Sequence, residues 1–280
     1  MADLLVSELP LVFGLLMTGA ISGFLAGLLG VGGGIVIVPV LLTVLGAAGV
    51  DPNIRLHMAI GTSLATIIPT SISSVIAHHK RGAVDWHLFR VWLPGIVTGV
   101  IVGTWLATTQ LSGSGLAIIF ACIALAVAID LVLRDRSDSD APLAPRPPIA
   151  WYSKYTASWV PGLIGTLSAL MGIGGGTLSV PFLNAVKYPM HRAVATSAGF
   201  GLVIAVPATL GYVVGGWGAA DQVNASFGYV NALGFIIISG TTVLTAPLGS
   251  RVAHALKAQT LRYLFSGFLF LTAARMLFAF

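Results

Sequence analysis

Long runs of apolar residues constrain this chain more than any other feature. Leu88–Thr108, Leu116–Leu133 and Leu233–Leu248 are examples. About 18–20 such residues in helical form cross the hydrocarbon core of a bilayer, and a helix satisfies its own backbone polar groups there. There is too little charge to clothe a water-facing surface. Asp, Glu, Lys and Arg make up 8% of the 280 residues, against about 25% in a soluble domain. The chain reads as an all-α integral membrane protein.

Ten apolar segments fall near 11–29, 35–48, 57–77, 87–107, 114–133, 156–172, 177–187, 191–216, 229–249 and 260–280. Between the fifth and sixth lies RDRSDSDAPLAPRPPIA, Arg134–Ala150, rich in charge and proline. It has the composition of a water-exposed connection. The chain divides into a first membrane repeat (1–133), a cytoplasmic linker (134–152) and a second membrane repeat (153–280). The N-terminus, MADLLVSELP, lacks the basic start of a signal peptide, so the first segment is expected to be retained.

The two parts share ordered landmarks. Gly30-Val31-Gly32-Gly33-Gly34 matches Gly172-Ile173-Gly174-Gly175-Gly176 at an offset of 142, and Pro39 falls on Pro181. HMAIGTS (His57–Ser63) matches HRAVATS (His191–Ser197) at 134. Gly82 and Gly103 pair with Gly228 and Gly249 at 146. Such order argues for internal duplication. With five segments in each repeat, the second enters the membrane from the opposite side, giving two inverted-topology repeats, a plan common among secondary transporters. If the first two segments of a repeat re-enter rather than span, the parity is unchanged.

Basic residues crowd the cytoplasmic ends of membrane helices. With the linker cytoplasmic, Lys80, Arg81, Arg90, Arg134, Arg136, Arg146, Lys154, Lys187, Arg192, Arg251, Lys257 and Arg262 all fall on that side, leaving Arg55 and Arg275. The same rule accounts for the net charge of +5, which therefore implies no nucleic acid partner. Trp86, Trp105, Trp151, Trp159 and Trp217 stand near segment ends, as interfacial belts require. Cys122 is the single cysteine, so there is no intrachain disulfide and no multi-cysteine metal site.

Each glycine cluster opens a segment too short to span, about 14 and about 11 residues, or roughly 21 Å and 17 Å of helix. Broken or re-entrant Gly-rich helices are thus expected at membrane depth, where irregular backbone is tolerated only inside protein or beside a water-filled cavity. A helix start offers unpaired N–H groups and partial positive charge, and glycine admits close approach. Gly32, Gly33, Gly34, Gly174, Gly175, Gly176 and Thr177 are the candidate residues for a small anion. The alternative is that the glycines serve close helix packing. Nucleotide motifs fail: Gly33 stands where a phosphate loop needs Lys, and Ile35 and Thr177 stand where the dinucleotide pattern needs Gly.

Thr62, Ser63, Thr196 and Ser197 supply hydroxyls that could donate to an anion, or bond back to their own helix. Pro69 and Pro207 follow in the same helices as candidate kinks. His57 and His191 are either interfacial or proton-coupling groups, with Arg192 a candidate for anion attraction. Carboxylates are scarce; Asp85 precedes Trp86 at an expected interface, and no mid-membrane relay is visible. No spacing suggests a metal or other cofactor, and no nucleophile–base pair suggests an enzyme.

The G-x-G-G-G and V-P motifs (Gly30–Pro39, Gly172–Pro181), the A-x-x-T-S runs (Ala59–Ser63, Ala193–Ser197) and the glycines Gly95, Gly99 and Gly103 resemble the sulfite exporter TauE/SafE family of membrane permeases, over nearly the whole chain. The resemblance implies export of small sulfur oxyanions such as sulfite or sulfoacetate across the bacterial cytoplasmic membrane. The expected partners are a small anionic substrate and the lipid bilayer, with a homo-oligomer compatible. A passive anion channel, or a permease for a different small anion, is the alternative.

Overall fold

A computed structural model gives the fold and describes residues 2–29, 33–133, 159–186, 188–219, 223, 225–255 and 258–278. The first half contributes α1 (Ala2–Leu29), α2 (Gly34–Ala47), α3 (Pro52–Lys80), α4 (Trp86–Trp105) and α5 (Gly113–Leu133), with a π-helical turn, Leu106–Gln110, continuing α4. The second half contributes α6 (Val160–Met171), α7 (Gly175–Ala185), α8 (Met190–Gly215), α9 (Ala232–Ala255) and α10 (Ala258–Phe278). A two-residue hairpin, β1 (Ser226–Phe227) and β2 (Val230–Asn231), precedes α9. Each apolar segment is thus one helix. The linker lies outside the described residues, as do Trp151 and Lys154.

Local sequence sets the helix ends. Asp51 accepts the Asn53 N–H at 2.8 Å, with Pro52 in the first turn of α3, an N-cap followed by the one residue that loses nothing there. Asp85 accepts the N–H groups of His87 and Leu88 to start α4. Gly172 ends α6 in the left-handed region, φ +67, and Gly172 and Ile173 both donate to the Ser168 carbonyl, a turn that favours glycine.

Four helices among the described residues are long and apolar enough to cross a membrane: Pro52–Lys80, Trp86–Gln110, Gly113–Asp130 and Arg192–Gly215. The helices after the glycine breaks, α2 and α7, have 14 and 11 residues. Phe13, Ile101, Ile118, Leu210, Leu244 and Phe270 are exposed, as a hydrocarbon-facing surface demands. Trp86, Trp105, Trp159 and Trp217 are exposed at helix ends, whereas Trp92 is buried.

The centre is α3 against α8. From Leu56 to Ile67 every residue of α3 is buried, the mark of a helix enclosed on all sides. Around this pair the contacts recur in matched sets. α2 packs on α3 as α7 packs on α8, and α1 packs on α9 as α4 packs on α6. Small residues permit the α4–α6 approach, where Gly95 faces Pro161 and Gly99 faces Gly162.

Candidate functional site

The two glycine breaks meet in the interior. Gly33, Gly34 and Gly172–Gly175 are buried. A Cβ on Gly34 would stand 2.6 Å from the Gly172 carbonyl oxygen and 2.9 Å from Ile173 Cα, so the start of α2 lies against the turn that precedes α7. Ile67 of α3 borders both breaks, 2.9 Å from a Cβ on Gly34 and 3.7 Å from one on Gly174. On its other flank the start of α7 touches α8, where a Cβ on Gly175 would stand 2.7 Å from Phe200 Cβ and 2.9 Å from Gly201 N. Gly34 and Gly175 are therefore needed for backbone approach, while Gly174 has room. Gly176 is half-buried and Thr177 buried in the first turn of α7. Gly32 lies outside the described residues.

The hydroxyls do not bond back along their own helices. Thr62 Oγ1 accepts the Asn231 N–H at 3.0 Å, and Thr196 Oγ1 accepts the Asp85 N–H at 2.9 Å. The two bonds match: Thr62 and Thr196 are 134 apart, Asp85 and Asn231 146 apart, the offsets of the repeat. Asp85 Oδ1 then caps Leu88 N at 3.1 Å, as Asn231 Oδ1 caps Gly234 N at 2.7 Å. Because a threonine hydroxyl that accepts still carries a hydrogen, each of these two retains a donor. Ser63 spends its hydrogen on the Gly172 carbonyl at 2.8 Å, tying α3 to the other half's glycine turn. Ser197 is fully buried and its Oγ has no partner.

His57 is enclosed by protein. It is 5% exposed, its Nε2 lies 3.0 Å from the Ala107 carbonyl and 3.2 Å from that of Leu111, and its ring rests on Tyr229 at 5.0 Å. Carbonyls only accept, so Nε2 holds the hydrogen. The π turn, closed by Leu111 N–H to Leu106 O, brings both carbonyls to one nitrogen. His191 is the second residue of α8, and its side chain lies outside the described set. Arg192 is half-buried with an unpartnered Nε. Arg55 is held locally, donating to the Val50 carbonyl at 3.0 and 2.7 Å.

Sequence reasoning missed Asp85. Expected at an interface, it is 1% exposed, because it caps α4 beneath Thr196 while Oδ2 accepts the Tyr188 hydroxyl at 2.8 Å. The offset of 146 already aligned it with Asn231 and was the available signal. Trp92, Ser179 and Tyr188 had none.

Apolar-surfaced helices enclosing broken ones, with buried hydroxyls and helix starts set in an apolar core, define a multi-pass helical membrane protein. The chain belongs to the sulfite exporter TauE/SafE family, whose sequence model matches residues 15–276. A "Probable membrane transporter protein" of Haemophilus influenzae is 35% identical over 262 residues, 93% of this chain and 96% of that protein. One from Methanocaldococcus jannaschii is 26% identical over 264 residues, 91% of each. One from Bacillus subtilis is 30% identical over 198 residues, 65% of this chain and 71% of that protein. No solved structure matches the chain. The protein is a membrane transporter.

Proposed function

We propose that this transporter exports small sulfur oxyanions, such as sulfite, sulfoacetate or related organosulfonates, across the bacterial cytoplasmic membrane by alternating access. The observation that carries the reading is the buried meeting of the two glycine breaks, Gly34 against Gly172 and Ile173. Two short helices start there, and each start concentrates partial positive charge suited to an anion. Thr62 and Thr196, on the two central helices and bonded to Asn231 and Asp85, each keep a hydroxyl hydrogen to donate without adding a cation.

The halves are read as inverted repeats that rock about this centre. The matched helix contacts and the matched threonine bonds to Asn231 and Asp85 support that reading. Flux into proteoliposomes tests it. Sulfite or sulfoacetate should cross faster than in empty liposomes and show counter-flow, which a passive channel lacks. No protein-dependent flux for either anion would overturn the assignment.

A further inference from the structure

We propose that Trp92, Ser179 and Ser197 form an oxyanion subsite at the seam of α4, α7 and α8. The proposal rests on the anion-transport reading above. Trp92 Nε1, Ser179 Oγ and Ser197 Oγ have no hydrogen-bond partner, and their residues are 1%, 0% and 0% exposed. A buried donor without a partner is costly; of ten buried side-chain N or O atoms without one among the described residues, these three fall along a single seam and ask for a ligand.

The packing brings them together. The Trp92 ring lies 5.2 Å from that of Phe200, nearly parallel at 14°, and 5.9 Å from that of Phe182. Ser197 precedes Phe200 by three residues on α8, and Ser179 precedes Phe182 by three on α7; residues so spaced share a helix face. α7 and α8 form an antiparallel hairpin in which Gly175 abuts Phe200 and Gly201. One turn forward on α7 and one turn back on α8 sets Ser179 across from Ser197. The start of α7 lies one turn away and adds its partial positive charge.

The chemistry is that of donors. An indole N–H only donates, and each serine hydroxyl has a hydrogen to give. At the positions related by the repeat offsets stand Ile238, Ile37 and Ser63, and Ser63 is already bonded to Gly172. The trio therefore draws Trp92 from the first half and Ser179 and Ser197 from the second, and its offset-related positions carry no matching set of donors.

The test is titration of the full-length protein, its tryptophans labelled with 15N at the indole, with sulfite, sulfate, nitrite and formate. The Trp92 resonance is assigned by its loss in Trp92→Phe. It should move and saturate with at least one of these anions. For that anion, Trp92→Phe, Ser179→Ala and Ser197→Ala should each weaken binding about tenfold to a hundredfold, the worth of one hydrogen bond to a charged group. Because the two serine oxygens have no partner, Ser179→Ala and Ser197→Ala should melt no lower than the parent, while Trp92→Phe also loses ring packing on Phe200 and Phe182 and should melt lower. A Trp92 resonance indifferent to all four anions, parental affinity in the three variants, or serine variants that unfold would overturn the subsite. Movement with nitrite or formate but not the sulfur anions upholds the subsite and overturns the sulfur assignment. Sulfite flux with unchanged variants and a silent Trp92 upholds transport and overturns the subsite.

Discussion

Replacing Gly34 with alanine asks whether the two glycine breaks lean on each other. The new Cβ would stand 2.6 Å from the Gly172 carbonyl oxygen, 2.9 Å from Ile173 Cα and 2.9 Å from Ile67 Cδ1. Ile67 can rotate away, but the other two are backbone atoms. They belong to a turn held by two bonds to Ser168 and by Ser63 on the carbonyl itself. Overpacking of this kind costs about 1–3 kcal/mol. The helix propensity of alanine returns at most about 1 kcal/mol, and less at a first helical residue. The net loss should be about 1–2 kcal/mol. Gly174→Ala is the control, since its nearest neighbour would be Ile67 Cγ2 at 3.7 Å, ordinary contact worth less than about 0.5 kcal/mol. The assay is retention of the monodisperse peak on gel filtration after heating. At about 2–4 °C per kcal/mol, Gly34→Ala should melt about 2–8 °C below the parent while Gly174→Ala stays close to it. Equal melting of the two variants would refute the idea that the breaks are pressed together.

Thr62→Val and Thr196→Val should each cost about 1–3 kcal/mol by stranding the buried N–H of Asn231 or Asp85, with Thr→Ser at the same sites milder; parental melting in both valine variants would remove these bonds from the account. Asp85→Asn should keep most of the α4 cap, as Asn231 does for α9, whereas Asp85→Ala should lose about 1 kcal/mol or more; indistinguishable melts would show that the side-chain oxygen is not needed. In a Cys122→Ala background, single cysteines at Arg81, Ser112 and Ala219 report topology through impermeant thiol reagents. Cysteine at 81 should label from the cytoplasm and those at 112 and 219 from the opposite face, and labelling of 112 and 219 from different faces would contradict inverted repeats.

Most helices were legible as apolar runs, several of them bounded by a cap or a glycine, as at Asp51-Pro52 and Gly33, whereas α1 starts at Ala2, through Asp3 and Glu8, well before its apolar run. The breaks themselves were legible from the doubled motif. The late start of α9, at Ala232 rather than near residue 229, was not. Tyr229 donates to the Tyr212 carbonyl and Asn231 to Thr62, so tertiary bonds hold three residues out of the helix. The site was legible as a set of positions but not as a division of labour. Thr62 and Asn231 are 169 residues apart, and nothing local in one sequence announces such a partner. The same holds for Trp92, whose place in the core depends on Phe200 and Phe182 rather than on its neighbours in the chain.

The pairing of α1 with α9 and of α4 with α6 has a further consequence for how such a molecule is put together. Each half clasps the other's outer helix, and the cap residues that start α4 and α9, Asp85 and Asn231, donate their own N–H groups to threonines of the opposite half. A ribosome that has finished the first repeat has therefore made an incomplete object, with ridges awaiting strangers and a glycine turn still to arrive. Nicked within the stretch that joins the repeats, the finished protein should stay assembled; synthesised singly, either repeat should be handed to the quality-control proteases of the membrane.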